Sequence, residues 1–200
     1  ALIIADKLSI PSASLVAVLS VAGLAFSLSL QNTLSNVFAG FTLLMTRPFS
    51  SGDFVELGAT TGTVISSGLF YVTLVTADRK EIHIPNSDVA ASRITNYSTE
   101  PTRRVDLAFG LEYSCDAESV RRALLDAAAA DARVLTEPAP SVVVSAYKAS
   151  SVEYSLRAWA ATQDYWDVYF ALNENCRTAL EKAGLSMAFD RLDVRILDNK

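Results

Sequence analysis

Hydrophobic positions are concentrated at the amino-terminal end of the chain. No charged residue lies between Lys7 and Arg47, and this stretch is longer than the about 20 helical residues that cross a bilayer core. Positions 11–30 are almost all apolar or small, and Pro11 is well placed in the first turn of a helix. The pattern therefore predicts a membrane-spanning helix over 11–30, followed by a segment that bends or leaves the membrane.

Polar side chains enter this stretch at Gln31 and Asn32, where the pattern changes to that of an amphipathic helix. The apolar positions there are three and four residues apart: Leu30, Leu34, Val37, Phe41 and Leu44. Because Asn32 forms helices less readily than Ala or Leu, we predict a kink at Gln31 and Asn32. The polar face carries no Lys or Arg and is expected to pack on protein, and Pro48 ends the segment.

Small side chains recur every three or four residues in the predicted span. They are Ala13, Ala17, Ser20, Gly23 and Ser27. Such a groove lets another helix approach closely. Leu24 and Leu28 share a neighbouring face, and in several copies packed around an axis they would form two apolar rings that gate by dewetting. Spacing alone favours the simpler interpretation, in which these leucines face lipid beside a helix pair.

After residue 48 the pattern becomes one of short strands separated by turn residues. Predicted strands lie at 54–57, 62–65, 71–76 and 81–84, which are rich in β-branched and aromatic residues. They predict a small barrel or sandwich of four or five strands. The only histidine, His83, alternates with two isoleucines and is predicted to face solvent.

From residue 104 the predicted order of elements is βαββαβ, which indicates a split, ferredoxin-like sandwich. The strands are predicted at 104–109, 141–145, 152–159 and 192–197, and the helices at 116–132 and 164–183. Asp116 and Asp164 are predicted N-caps, and Gly184 stands where a glycine ends a helix. Tyr169, Leu172, Cys176 and Leu180 form the predicted buried stripe of the second helix, so Cys176 is expected in the core.

Composition and charge narrow the functional classes. The chain has 17 Lys and Arg against 22 Asp and Glu, a net charge of −5, without the basic clusters that nucleic-acid binding needs. Two distant cysteines and one histidine make no predicted metal site, and no catalytic constellation or cofactor motif stands out, so an enzyme is not predicted. The aromatic residues at 165–170 are predicted to serve core packing or a subunit contact, with a ligand cage as the alternative.

Several spaced motifs resemble the small-conductance mechanosensitive channels, the MscS family, over nearly the whole chain. They are the string from Gly23 to Gly40, then Arg47-Pro48-Phe49, Gly52-Asp53, Val55, Gly62-Thr63-Val64, Thr76-Ala77-Asp78, Ile84-Pro85-Asn86, Asn96-Tyr97-Ser98, Pro101 and Arg103-Arg104. The resemblance implies a membrane α-helix plus an α+β fold. It places a kinked pore helix at 1–48, a small Sm-like β-barrel domain at 49–99 and a ferredoxin-like domain at 100–200.

The resemblance also implies roles for individual residues. Leu24 and Leu28 match the constriction rings, and Gln31 and Asn32 match the kink. Six residues match positions of tight pore-helix packing in the family: Ala17, Ser20, Val21, Gly23, Ala25 and Ser27. Asn36 and Gly40 match positions that the family associates with closing or inactivation. Lys7 and Arg47 match positions that contact lipid headgroups. The family often has glycine where this chain has Ser20, Ser27, Asn32 and Ser87.

By resemblance, the function is a tension-opened channel that releases ions and small osmolytes on hypo-osmotic shock. It implies a homoheptamer without cofactors, in contact with membrane lipids, in the bacterial inner membrane with the carboxyl-terminal domains cytoplasmic. The chain begins without Met at Ala1, which predicts a fragment that lacks the upstream helices of a multi-pass protein. The alternative is a membrane-anchored cytoplasmic module that binds a ligand or protein as a sensor.

Overall fold

The structure is a computed structural model that describes residues 12–190. The elements in chain order are helix α1 (Ser12–Thr46), strands β1 (Phe54–Leu57), β2 (Thr60–Ser67), β3 (Tyr71–Val75) and β4 (Glu81–Pro85), helix α2 (Asn86–Ala91), strands β5 (Ile94–Asn96) and β6 (Thr102–Leu111), helix α3 (Ala117–Ala129), strands β7 (Ser141–Tyr147) and β8 (Val152–Ala161), a 3₁₀ turn (Thr162–Asp164) and helix α4 (Tyr165–Lys182). The chain divides into two compact units, Ala1–Thr99 and Glu100–Lys200.

Helix α1 is one continuous helix of 35 residues. At a rise of 1.5 Å per residue it is about 52 Å long, well beyond the about 30 Å of a bilayer core. The predicted spanning and amphipathic segments form one continuous helix through Gln31 and Asn32, where the sequence predicts a kink. Each unfavourable residue costs only a few tenths of a kcal/mol, and helix formation is cooperative, so good helix formers on both sides hold this stretch helical.

The strands of the first unit form an open, antiparallel sheet in the order β4-β3-β2-β1-β5. The four predicted strands lie within two residues of their predicted ends. The sequence predicted a small barrel or sandwich, and this sheet is not a closed barrel, since no pair of described residues joins its two edges, β4 and β5. Closure is disfavoured because β4 ends at Pro85, which has no N–H, and because helix α2 carries the chain to the three-residue β5 at the opposite edge.

A small apolar core lies under this sheet, and helix α1 contributes to it. The buried residues are Leu43, Phe49, Val55, Leu57, Val64, Val72, Leu74 and Val89. Leu43 comes from the last turns of α1 and is only 5% exposed. The carboxyl-terminal end of α1 is therefore packed on the sheet, while most of its length is not.

The second unit is a three-stranded antiparallel sheet in the order β6-β8-β7, with α3 and α4 packed against it. This confirms the predicted βαββα order. The sixth predicted element, at 192–197, lies outside the described residues. The described residue Met187 forms an antiparallel bridge with Leu111 at the free edge of β6, where a ferredoxin-like sandwich has its fourth strand.

Three sequence predictions concern the helix ends of this unit: two N-caps and one helix-ending glycine. The Asp116 carboxylate caps α3 by accepting a hydrogen bond from the Ser119 amide at 2.9 Å, as predicted. Asp164 makes no side-chain cap, because the 3₁₀ turn already leads into α4 and takes the place of a capped start. Gly184 has φ +68 after α4, and its amide donates to the carbonyl of Glu181 at 3.1 Å, as expected of a helix-ending glycine.

Cys176 is fully buried in the core of the second unit, as predicted. Burial raises the pKa of its thiol from 9.0 to about 12. Because the folded-state pKa lies above the unfolded one, the stability that the protonated thiol contributes is complete below about pH 9 and is lost as the pH rises toward 12.

We expect a maleimide reagent at neutral pH to modify the half-buried Cys115 and to leave Cys176 unmodified until the protein unfolds. Mass spectrometry of peptides from folded and denatured protein would measure both reactions. Rapid modification of Cys176 in the folded protein would contradict its position in the core.

Candidate functional site

The amino-terminal two thirds of helix α1 present an uncovered apolar surface. Residues Leu15–Thr46 are apolar enough, over sufficient length, to cross a membrane, and the most apolar window is not buried inside the protomer. Leu24 and Leu28 lie four residues apart on one face, and each is 62% exposed. An apolar surface of this size on a single protomer indicates a membrane or protein–protein contact.

The predicted packing residues lie on both sides of the two leucines. At about 100° per residue, the line through Leu24 and Leu28 is flanked on one side by Ser20, Gly23 and Ser27 and on the other by Val21 and Ala25, and Ala17 continues the line. The Ser20 hydroxyl donates to the carbonyl of Val16 at 2.7 Å, which satisfies it within the helix. The arrangement suits a helix with a neighbour on each side and leucines between them.

Asn36 joins helix α1 to helix α2 of the β-sheet unit through one end of its side chain. Its Oδ1 accepts a hydrogen bond from the backbone amide of Ser87 at 2.9 Å. Its Nδ2 donates to the carbonyl of Asn32, one turn earlier, at 2.9 Å. The donor at position 87 is a backbone amide, so this hydrogen bond does not use the serine side chain.

Gly40 lets helix α1 pack closely against the β-sheet unit. We call this contact, formed by Asn36, Gly40, Asn86 and Ser87, the junction. Gly40 is buried, and a Cβ atom added to it would lie 2.2 Å from Asn86 Nδ2 and 2.4 Å from the backbone oxygen of Leu69. No side chain fits in that space. Asn36, Gly40 and Leu43 lie about a third of a turn around the helix from Leu24 and Leu28, so the docking face differs from the leucine face.

Asn86 is the centre of the junction, and sequence reasoning did not single it out. It is fully buried, and its Nδ2 donates to the carbonyl of Gly68 at 3.0 Å and to that of Asn36 at 3.5 Å. Its Oδ1 is buried without a hydrogen-bond partner among the described residues. Helix α2, which begins at Asn86, was missed as well, since six residues are too few for a periodic signal. The available signal was the Pro85-Asn86 pair, a proline before a helix start.

A second attachment lies where α1 ends. Asn96 donates from Nδ2 to the carbonyl of Pro48 at 3.2 Å and to the Asp53 carboxylate at 2.9 Å. Its Oδ1 accepts from the amides of Ser98 and Thr99 at 2.8 and 3.2 Å. The Asn96 side chain thus takes part in four hydrogen bonds, which hold the segment that follows α1 against the sheet.

We expect Asn96→Ala to lower the melting temperature by several degrees, because it leaves the amides of Ser98 and Thr99 without their acceptor and removes one donor from the Asp53 carboxylate. The loss corresponds to about 2–4 kcal/mol. Thermal unfolding of the purified protein in detergent measures it. Asn173→Ala is the control, since Asn173 is exposed and donates only within its own helix, to the Tyr169 carbonyl. Equal melting temperatures for both variants would show that Asn96 does not hold this attachment.

The remaining candidate residues are not brought into the junction. Lys7 lies outside the described residues, and Arg47 is exposed at the end of α1 with φ 46. His83 is exposed on β4, as predicted, and donates to or accepts from the Thr73 hydroxyl at 3.0 Å. No cluster of metal-binding side chains occurs among residues 12–190.

The aromatic residues at the start of α4 pack on one another. Tyr165 and Tyr169 are half-buried, and the Arg103 guanidinium lies 3.7 Å from the centre of the Tyr165 ring. Trp166 and Phe170 stack at 5.9 Å and are each more than half exposed. The Arg103 guanidinium occupies one face of the Tyr165 ring as a cation–π contact.

Two family models match the chain. One, described as the beta-domain of mechanosensitive ion channels, matches residues 32–99, and the other, described as the C-terminal part of the mechanosensitive ion channel MscS, matches residues 105–187. The first begins at Asn32 and so includes the docked part of α1 together with the β-sheet unit.

Relatives and solved structures agree with this match. A small-conductance mechanosensitive channel of Edwardsiella ictaluri is 42% identical over 88% of this chain, which spans 61% of that protein's length. An MscS family protein of Buchnera aphidicola from Baizongia pistaciae is 33% identical over 94% of this chain and 67% of its own length. The crystal structure of Helicobacter pylori MscS in its closed state has a TM-score of 0.92 at 27% identity, covering 99% of this chain and 79% of that one.

An uncovered apolar helix docked on a β-sheet unit, followed by an α/β unit, is thus matched in sequence and in fold, and the chain belongs to the MscS family of mechanosensitive ion channels.

Proposed function

We propose that α1 lines the pore of a channel opened by membrane tension, which releases ions and small osmolytes on hypo-osmotic shock. The observation that carries this proposal is the exposed line of Leu24 and Leu28 between two flanks of mostly small side chains on an uncharged helix. Copies packed flank to flank would place the leucines around a common axis. We propose a homoheptamer on the family's precedent.

The proposed gate works by excluding water. Two rings of leucine in a narrow, uncharged lining cannot hold a continuous water column, so ions do not pass in the closed state. Tension favours the conformation that occupies more area in the bilayer, so opening is a shift in population toward tilted or rotated helices. An uncharged lining selects weakly among small solutes.

The lower part of α1 is proposed to control closing and inactivation. Asn36 and Gly40 hold it against the β-sheet unit, and a kink at Gln31 and Asn32 would let the upper part move while the junction stays docked. We propose that the docked junction belongs to a non-conducting arrangement. The similarity to a closed-state relative, with a TM-score of 0.92, supports this assignment.

The membrane arrangement follows from the same proposal. Residues 1–48 form the pore segment, and residues 49–99 and 100–200 form two domains on the cytoplasmic side of a bacterial inner membrane. Lys7 and Arg47, which flank the uncharged stretch at its two ends, would contact lipid headgroups at the membrane surfaces. Further membrane helices upstream would make the whole protein multi-pass.

Patch-clamp recording of the whole protein in liposomes under graded suction tests the proposal. We expect currents that appear only under tension and that pass both cations and anions. Protein shown to be folded and inserted but silent up to lytic tension would overturn the proposal and favour a membrane-anchored sensor. The exposed rings of Trp166 and Phe170 would then be the first binding surface to examine.

A further inference from the structure

A small cavity lies in the second unit, between the loop that follows β6 and the turn that joins β7 to β8. Its volume is about 370 Å³, and it is lined by Glu112, Tyr113, Ser114, Ala149 and Ser150. Glu112 and Ser150 are half-buried and the other three are exposed, so the carboxylate and one hydroxyl lie at its deeper end. The volume is in the lower part of the range of ligand pockets, which suits a small molecule.

The two walls of the cavity are held together by hydrogen bonding and ring stacking. The Tyr113 hydroxyl donates to the carbonyl of Lys148 at 2.7 Å, which joins the loop to the turn. The Tyr113 ring also stacks on that of Tyr147, with ring centres 6.5 Å apart. Within the loop, the amide of Cys115 donates to the carbonyl of Glu112 at 3.1 Å. The cavity is therefore formed before a ligand enters, which lowers the entropy that binding costs.

The chemistry of the lining favours a cation. Lys148 is the only cationic residue of segments 112–114 and 147–151, and its ammonium group pairs with the Glu153 carboxylate on β8. The Ser114 hydroxyl donates to the Glu112 carboxylate at 3.2 Å, which brings these two groups together. A carboxylate accepts charge-assisted hydrogen bonds, a hydroxyl has two lone pairs, and the face of a tyrosine ring attracts a cation. An anion is repelled by the Glu112 carboxylate.

We propose that this cavity binds a small primary ammonium ion, an inference that does not depend on the channel activity proposed above. An R–NH₃⁺ group has three N–H donors. The lining offers acceptors of matching kind, which are the Glu112 carboxylate and the hydroxyls of Ser114 and Ser150. The apolar stem of the ligand lies against the Tyr113 ring and the methyl group of Ala149. A quaternary ammonium ion has no N–H donor and cannot use these acceptors, so it binds less tightly.

Saturation-transfer NMR of the whole protein in detergent tests the site, with n-butylammonium chloride as the probe and protein-free micelles as the blank. We expect saturable binding of n-butylammonium, weaker binding of tetramethylammonium, and none of butyrate, which has the opposite charge. Glu112→Gln keeps the side-chain shape and removes its charge, and is expected to weaken binding at least about tenfold. Ser114→Ala removes one acceptor at an exposed position and is expected to weaken it about threefold. Glu174→Gln makes the first change at an exposed position of α4 outside the cavity and is expected to match wild type.

Each other outcome overturns the inference in a distinct way. No saturable binding to wild type, or equal binding of butyrate, would show that the cavity does not select a cation. Equal affinity in wild type and Glu112→Gln would place the amine at another acidic surface, and Ser114→Ala decides this point if Glu112→Gln does not fold. Tetramethylammonium bound as tightly as n-butylammonium would mean that the ring alone attracts the cation. Tension-gated current is recorded separately, so failure of this inference is told apart from failure of the proposed function.

Discussion

Leu28→Ser is expected to give a channel that leaks without applied tension and opens at a lower tension than wild type. Leu28 is 62% exposed in the protomer and lies one turn from Leu24, and the proposed ring of helices would place it in the constriction. Replacing its isobutyl group with a hydroxymethyl group widens that ring and gives water a hydrogen-bonding partner, so the closed pore hydrates. Burying a leucine is worth about 1.5–3 kcal/mol, and several copies multiply the effect on the closed state.

Leu19→Ser is a closely matched control for this experiment. Leu19 is 63% exposed and belongs to the same helix, but it lies on nearly the opposite side from Leu28. The substitution is identical in chemistry and in lost apolar area. Patch-clamp recordings and growth after osmotic downshock are expected to show a strong phenotype for Leu28→Ser and a weaker one for Leu19→Ser. Equal leak in both variants would mean that general weakening of the membrane helix, and not wetting of a ring, causes the phenotype.

The sequence predicted best those elements that carry a long periodic signal. Strands β1 to β4 and β6 to β8 and helices α3 and α4 were placed within a few residues, because their alternation or their three-to-four spacing extends over several positions. The three-residue β5 was not predicted. The apolar stretch of α1 was equally clear. The helix assignment continues through Gln31 and Asn32, since local propensity is weak beside the cooperativity of the flanking residues.

What the sequence did not predict depends on contacts between distant residues. Closure of a barrel depends on pairing between β5 and β4, and the six-residue α2 that connects these strands has no periodic signature. The role of Asn86 was hidden for the same reason, as its partners Asn36 and Gly68 are 50 and 18 residues away. The motifs indicated which positions are important, but only the fold showed which contacts these residues make.

The motifs that carried the resemblance meet at two attachments of one helix. Pro48, Asp53 and Asn96 fix the exit of α1, and Asn36, Gly40 and Asn86 fix its last three turns. Between these attachments and the leucines lies the predicted kink. The fold thus separates a helix end that is held in place from an upper part that nothing in the described protomer covers.

Gly40→Ala is expected to produce the largest effect at the junction. The added methyl group would lie 2.2 Å from Asn86 Nδ2 and 2.4 Å from the Leu69 carbonyl oxygen, and the latter is backbone and cannot rotate away. The helix must therefore withdraw by about an ångström or more, which breaks the hydrogen bond between Asn36 and Ser87. Overpacking of this kind costs about 1–3 kcal/mol. We expect current under sustained tension to decline at least about tenfold more slowly than in wild type.

A comparison of two substitutions separates this steric cause from helix stiffness. Alanine also raises helix propensity by about 1 kcal/mol over glycine, so a stiffer helix is the competing explanation. Serine at position 40 raises it less but carries the same Cβ into the same space. Gly40→Ser is therefore expected to slow the decline at least as much as Gly40→Ala if the clash is the cause, and less if stiffness is. Gly110→Ala, whose new Cβ would meet Ser151 at an ordinary 3.5 Å, controls for the substitution itself and is expected to record as wild type.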